Sequence, residues 1–248
     1  MSEHVLDIDG CILMTNYADL SQRLVNALGL RTEPVAVTLI KRGQSIPSDY
    51  PSVESATRHC QSIMKARKGE KLCLPVEKNA CPVGASALGE VALPDKVKAG
   101  EFHYNMGLYE DTEAAAKTME MRTTLPEGST IATVVSPLSK ATVKPDVVIV
   151  VGIPEQMFWI IPAAQTFQKG GRVHVDMAAV QASCVDSTVI PLMTDRVNIS
   201  LGCFGCRKTS DILPEEMLVG IPWTHFEETV AAVEKMAQGA IPKSRQKA

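Results

Sequence analysis

The sequence predicts an α/β fold: a single domain, 1–248, built from two weakly similar strand-helix-strand halves with a pseudo-twofold internal repeat. Three observations support this prediction. Runs rich in β-branched residues alternate with segments of helical spacing. Hydrophobic residues make up 45% and charged residues 21% of the chain, which is ordinary globular usage. The pattern of the first half recurs in the second.

The elements follow from hydrophobic spacing and from the glycines and prolines that interrupt it. Helical spacing first appears at 18–28 and ends at Gly29. Further helices are predicted from Ser52 to Gly69, from about Asp111 to Met121, from 154 to about 169 and over 227–238. Strands are predicted at 34–40, 72–76, 129–135, 146–153, 172–175 and 197–201.

The repeat pairs residues 33–120 with residues 146–237. The strand 35–40 matches 147–152, and the helix 109–119 matches 226–236. Lys68-Gly69 then falls opposite Lys169-Gly170, and Cys81 falls opposite Cys184. We predict that an approximate twofold brings the two cysteine-bearing loops to one side of the domain. Chance similarity between two amphipathic patterns is the alternative.

Charge and composition exclude several partners. The net charge is −3 without a basic stripe, and aromatic residues are only 4%, so a nucleic-acid partner is not expected. The longest apolar stretch, 147–167, is interrupted by Pro154 and Pro162, so no membrane span is predicted. Because the N-terminus also lacks the features of a signal peptide, we expect a cytoplasmic protein. In that compartment its seven cysteines favour metal or thiol chemistry over disulfides.

Cys81 lies in the sequence Cys81-Pro82-Val83-Gly84, after a predicted strand and a polar turn. A Cys-Pro step beside glycine is common where a thiolate binds a cluster, because the backbone bends closely around the inorganic core. A buried cysteine of the core is the alternative. Cys184 is a candidate ligand because it lies opposite Cys81 in the repeat.

Cys203 and Cys206 form a Cys-x-x-Cys turn after a strand, a spacing that lets both sulfurs face one metal or each other. Arg207 and Lys208 follow at once and are expected to favour thiolates. A redox pair normally opens a helix, and zinc sites normally show two such pairs, so the motif leaves metal binding and thiol chemistry open.

The remaining cysteines are weaker candidates. Cys60 lies on the apolar face of its predicted helix, where it is either a ligand or a core residue. Cys73 lies in a strand and is interpreted as core, and Cys11 is interpreted as incidental. His59 is interpreted as a solvated surface histidine rather than a ligand. No phosphate-binding loop or hydrolase motif is present in the sequence, so the sequence does not decide whether the protein is an enzyme.

Three motifs carry a family resemblance. They are Cys81-Pro82-Val83-Gly84 with Ala87-Leu88-Gly89, then Ser200-Leu201-Gly202-Cys203-Phe204-Gly205-Cys206-Arg207-Lys208, and Glu215-Glu216-Met217-Leu218-Val219-Gly220-Ile221-Pro222. With these, the chain resembles the uncharacterised domain-of-unknown-function family 169 from about Leu20 to Met236. The resemblance implies that Cys60, Cys81, Cys184 and Cys203 occupy recurrent cysteine positions, with Cys206 less regular. Some relatives occur in anaerobic organisms, which suits an oxygen-sensitive cluster.

Three hypotheses follow for the function. The first is an iron–sulfur protein in which Cys60, Cys81, Cys184 and Cys203 bind one cluster, expected to be 4Fe-4S, for electron transfer, sensing or support of anaerobic metabolism. The second is a thiol-redox enzyme that uses Cys203 and Cys206. The third is a protein that binds zinc, or a metal-free protein that binds a small molecule. A redox partner protein is expected under the first hypothesis, and assembly into a homo-oligomer stays open.

Overall fold

The computed structural model describes residues 16–246, which form one antiparallel six-stranded sheet in the order β2-β3-β1-β4-β6-β5. The predicted mixed α/β class is confirmed. The strands are β1 (Val35–Lys41), β2 (Leu72–Pro75), β3 (Thr130–Pro137), β4 (Val147–Gly152), β5 (Asn198–Ser200) and β6 (Met217–Pro222).

Helices lie on both faces of this sheet. The α-helices are α1 (Tyr17–Leu28), α2 (His59–Ala66), α3 (Pro82–Ala87), α4 (Asp95–Lys98), α5 (Glu101–Tyr104), α6 (Thr112–Glu120), α7 (Pro154–Gln165), α8 (Ile190–Thr194), α9 (Phe204–Thr209), α10 (Trp223–Ala237) and α11 (Ala240–Arg245). A π-helix, Ala182–Val189, runs directly into α8, and short 3₁₀ turns cover Val76–Lys78 and Leu138–Lys140. No helix between residues 16 and 246 combines the length and the apolar character needed to span a bilayer.

One face of the sheet carries α1, α7 and α10, and we call it the apolar face. Side chains alternate along each strand, so Val148 and Val150 of β4 point to this face while Val147 and Ile149 point to the other. Phe226 of α10 is fully buried here. Burial of continuous apolar surface is what holds these three regular helices against the sheet.

The opposite face carries α2, the π-helix and α8, with α3 and α9 beside them, and we call it the cysteine face. Gly220 of β6 permits its close packing. A Cβ at that position would lie only 2.1 Å from the carbonyl oxygen of Ser187, so only glycine lets the π-helix backbone rest directly on the central strands. The position of the π-helix therefore depends on a residue in a different element.

Several predicted elements need correction. The predicted helix from Ser52 begins only at His59, because Ser52 and Thr57 form parallel bridges with Cys73 and Asn79 and are thereby held extended beside β2. The predicted strand at 172–175 has no strand or helix structure. Gly170 and Gly171 before it both have positive φ, and the backbone of Asp176 after it bonds to the side chain of Asn198 in β5 rather than to the β5 backbone. The sequence analysis missed β6, whose six residues include Gly220.

The strand order is symmetric. When β1 is exchanged with β4, β2 with β5 and β3 with β6, the result is the same order read from the opposite edge of the sheet. The segments matched in sequence nevertheless contain different elements. Helix α6 precedes β3, whereas its sequence match α10 follows β6. The order of elements alone does not establish a twofold relation between 33–120 and 146–237.

Candidate functional site

A cavity of about 210 Å³ opens on the cysteine face and is lined by all five candidate cysteines. They come from four separate parts of the chain: helix α2, the residue before α3, the π-helix, and the start of α9. The cysteines are Cys60, Cys81, Cys184, Cys203 and Cys206. The tertiary fold therefore gathers the cysteines that the sequence analysis singled out.

Three of these cysteines form one side of the cavity. The sulfurs of Cys203 and Cys206 lie 3.3 Å apart, and Cys60 packs beside them. Cys203 is the N-cap of α9, where its sulfur accepts a hydrogen bond from the Cys206 backbone N–H at 3.3 Å. The Cys-x-x-Cys motif therefore does open a helix, a feature typical of redox pairs as well as of metal sites.

Cys81 and Cys184 form the other side. Cys81 is the N-cap of α3, and its sulfur accepts a hydrogen bond from the Gly84 backbone N–H at 3.4 Å. A Cβ at Gly84 would lie 3.5 Å from each of the two sulfurs, so both thiols face the same glycine. Any larger side chain at position 84 would enter the space between them.

Cys184 lies in the π-helix rather than on the loop that the repeat predicted. The π-helix begins after Gln181, which has a φ of 67°, in the left-handed region that non-glycine residues rarely adopt. π-helical turns and strained backbone both occur preferentially at functional sites, where surrounding contacts hold them in place. The irregular backbone here turns Cys184 toward the cavity.

Three thiols of this cavity, those of Cys184, Cys203 and Cys206, are held in their neutral form by their surroundings. Hydrogen bonding to Cys206, followed by burial, raises the pKa of Cys203 far above its ordinary range. The Cys203 thiol opposes such a shift at Cys206, but hydrogen bonding to Cys60 and burial still raise the pKa of Cys206 to about 11. Burial also raises the pKa of Cys184. A bound cation would reverse this preference, because metal ligation requires the thiolate.

The predicted effect of Arg207 on the thiols is not supported by its contacts. Its guanidinium donates to the backbone oxygens of Leu201, Leu213, Pro214 and Glu216 and so fastens the loop after α9. Lys208 lies over the ring of Phe204, 5.7 Å from its centroid, and lines the cavity together with Arg58. Among residues 16–246, those that line the cavity include these two cations and no carboxylate.

His59 is not the solvated residue that the sequence suggested. It is only 2% exposed, and its Nε2 lies 3.1 Å from Oγ1 of Thr188 in the π-helix. Burial lowers the pKa of His59 to about 4, so the ring is neutral at pH 7. As the first residue of α2, His59 connects that helix to the π-helix, and both elements supply cysteines.

Two residues that the sequence analysis missed support the Cys81 turn. Asn79 accepts a hydrogen bond from the Cys81 backbone N–H at Oδ1, at 3.1 Å, and donates from Nδ2 to Oε2 of Glu90 at 2.8 Å. An asparagine two residues before a helix N-cap is a recognisable turn signal, so Asn79 could have been found. Glu90 carries no such local signal, because its burial arises from the tertiary fold.

The cysteines surround a space rather than a point. Across residues 16–246, no three His, Cys, Asp or Glu side chains converge closely enough to hold a single metal ion. The core assignment of Cys73 is supported, since it is 2% exposed in β2 and packs with Tyr50 and Val134 away from the cavity. Cys11 lies outside the described residues.

The relatives of this chain carry no assigned activity. A curated protein named Uncharacterized protein MJ0308, from Methanocaldococcus jannaschii, is 32% identical over 220 residues, which cover 88% of this chain and 94% of that protein. No solved structure matches the chain. The family model DUF169, described as Uncharacterised ArCR, matches residues 23–232. The chain therefore belongs to the DUF169 family, as the sequence motifs indicated.

Proposed function

We propose that this protein binds an iron–sulfur cluster, 4Fe-4S in type, in the cysteine-lined cavity. Cys60, Cys81, Cys184 and Cys203 are the proposed ligands. The observation that carries the proposal is the convergence of five cysteines from four separate chain segments on one cavity. Structural cysteines have no reason to share a cavity wall, whereas a cluster requires its thiolates to face a common space.

The size and lining of the cavity support a compact inorganic group. Its volume of about 210 Å³ is below the roughly 300–1,000 Å³ typical of pockets for organic ligands. Backbone N–H groups already donate to the sulfurs of Cys81 and Cys203, an interaction that tunes cluster potentials. Arg58 and Lys208 would offset the negative charge of four thiolates.

Cys206 supplies a fifth thiol beside the four proposed ligands. Its sulfur lies 3.3 Å from that of Cys203, and the Ser183 hydroxyl approaches it at 3.7 Å. Cys206 is 4% exposed, whereas Cys203 is partly exposed at the cavity. We therefore assign Cys206 as a neighbour that holds the Cys203 sulfur in position rather than as a ligand, so its loss reduces cluster retention without abolishing it.

The proposed role is electron transfer to or from a redox partner protein in the cytoplasm, in support of anaerobic metabolism. Phe102 and Phe204, both 40% exposed, lie at the mouth of the cavity with Lys208. Exposed aromatic side chains beside a cation suit a protein partner with acidic and apolar groups.

A second candidate is a thiol-redox enzyme that uses Cys203 and Cys206. Their 3.3 Å sulfur separation and the helix that follows Cys203 favour it. The raised thiol pKa values oppose it, because the attacking species in disulfide exchange is the thiolate. Zinc binding is a third candidate, in which four ligands would have to close to about 2.3 Å around one ion.

We also propose that the two halves arose by internal duplication. The placement of Cys81 and Cys184 on one cavity supports this. Superposition of residues 35–119 on residues 147–236 tests it, and a poor fit of β1 on β4 or of α6 on α10 would reject it.

Purification without oxygen tests the proposed function. We expect brown protein with iron and acid-labile sulfide in about equal amounts, and a paramagnetic signal after chemical reduction. Colourless protein with stoichiometric zinc would favour the third candidate. Colourless, metal-free protein with a reversible Cys203–Cys206 disulfide would favour the thiol-redox enzyme instead.

A further inference from the structure

Glu90 is a buried carboxyl group connected to the Cys81 turn through one side chain. It is 6% exposed, and its Oε2 accepts a hydrogen bond from Nδ2 of Asn79 at 2.8 Å. Oδ1 of the same Asn79 accepts from the Cys81 backbone N–H at 3.1 Å. The amide of Asn79 therefore joins the Glu90 carboxyl to the peptide group of a proposed cluster ligand.

The second oxygen of Glu90 is unpaired within the described part of the chain. Oε1 makes no hydrogen bond of standard geometry there, although the Thr133 hydroxyl, which also has no other partner, lies close enough to the carboxyl to favour its ionised form. Burying a carboxylate without a neighbouring cation costs free energy of folding. Such a group is therefore either protonated or kept because it serves a function. Burial, opposed by the contacts of Asn79 and Thr133, raises the pKa of Glu90 to about 7.

We propose that Glu90 couples proton uptake to reduction of the cluster held in part by Cys81. This inference rests on the proposed function, because it requires a redox group at the cysteine cavity. The argument is geometric. Glu90 is a buried carboxyl connected through Asn79 to the backbone of Cys81, so negative charge added at Cys81 acts on Glu90 along this chain of two hydrogen bonds.

The coupled step balances in charge and in protons. As the cluster gains one electron from a one-electron donor protein, Glu90 takes one proton from water at Oε1 and becomes the neutral acid. The added negative charge on the cluster and the added proton on Glu90 cancel. Oxidation reverses both changes, and the proton returns to water.

Charged groups on the elements packed around Glu90 are directed elsewhere. Lys78 donates to the carbonyl of Val53, Arg42 to the carbonyl of Gly128 and Arg122 to the hydroxyl of Ser86, while Glu77 and Glu127 are exposed. Burial, Asn79 and Thr133 account for the pKa of Glu90, and no ionised side chain contributes. No cation on these elements therefore neutralises Glu90.

The test compares the reduction potential of iron-loaded protein as a function of pH in wild type and in Glu90→Gln. The glutamine side chain keeps an oxygen that can accept the hydrogen bond from Asn79, so the Cys81 turn keeps its support. The substitution removes only the group that titrates. We expect the wild-type potential to fall around pH 7, by up to about 59 mV for each tenfold fall in proton concentration. Glu90→Gln should be flatter in this range. Glu228→Gln, at an exposed position on α10, is the matched control and should behave as wild type.

A second measurement follows the carboxyl group itself in wild-type protein. The reduced-minus-oxidised infrared spectrum should show a protonated carboxyl band that grows on reduction and is missing from Glu90→Gln. If iron-loaded wild type and Glu90→Gln share one pH slope, or if wild type lacks the band, the coupling is refuted while the cluster stands. Protein that binds no iron and sulfide would refute the cluster and, with it, this inference.

Discussion

The two faces of the sheet are covered by different kinds of structure. The apolar face carries the long, regular helices α1, α7 and α10, packed through residues such as Leu24, Ile160 and Phe226. The cysteine face carries short helices, a π-helix and many buried polar side chains, among them His59, Ser62, Glu90, Ser183, Asp186, Ser187 and Thr188. Both faces use the same strands, so the difference lies in what covers them.

This difference indicates that one face provides stability and the other holds the functional residues. Regular helices with continuous apolar surface give stability without constraining any particular side chain. Buried polar groups and unusual backbone cost stability, and they persist where surrounding contacts enforce a functional arrangement. The apolar face then acts as the base on which the cysteine face is held. Substitutions on the two faces should therefore separate stability from cofactor binding.

The largest expected effect is loss of the cofactor from the cysteine face. Replacing Cys60, Cys81, Cys184 or Cys203 with serine should remove most of the iron and sulfide, since a four-iron cluster needs four thiolates. Cys206→Ser should retain part of it. Cys73→Ser is the control, because Cys73 lies in β2 outside the cavity and should leave the iron content unchanged. Equal loss in Cys73→Ser and Cys203→Ser would contradict the assignment.

The second prediction concerns a substitution in the core of the apolar face. Phe226→Ala removes a fully buried ring that stacks on Trp223, with ring centroids 5.8 Å apart. We expect the free energy of unfolding to fall by about 3–5 kcal/mol, from lost burial and the cavity left behind. Denaturant unfolding measures this fall. The iron content per folded molecule should stay at the wild-type value, and a parallel loss of iron would show that the two faces are not separable.

A smaller effect concerns the contact between β6 and the π-helix of the cysteine face. Gly220→Ala places a Cβ 2.1 Å from the Ser187 carbonyl oxygen, so the π-helix must shift. We expect a loss of roughly 1–3 kcal/mol, as for other overpacked sites, together with weaker cluster retention through Cys184. Gly239→Ala is the matched control, because a Cβ there meets no atom within 4 Å and Gly239 has a φ of −151°, outside the left-handed region. If Gly220→Ala retained iron as well as Gly239→Ala, the π-helix would not depend on this contact.

Local pattern was sufficient for the elements that are regular along the chain. The helix that ends at Gly29, the buried strands β1, β3 and β4, and the Asp111 cap of α6 all appear near their predicted positions. Each has a continuous periodicity or a capping residue that acts within a few positions. The strand β6 was missed because its run is short, contains a glycine and ends in proline.

The amino-acid sequence by itself determined the mixed α/β class, the family and the set of cysteines worth attention. Proline, glycine and cysteine act through local backbone geometry and chemistry, so their spacing is visible before folding. Only the tertiary structure decided that the cysteines share one cavity and that His59 is buried. It also decided that Arg207 donates hydrogen bonds to the loop after α9, and that Glu90 is connected to Cys81 through Asn79. Those facts depend on which distant segments pack together. Burial sets the charge state and the partners of a side chain, and it arises only when those segments have packed.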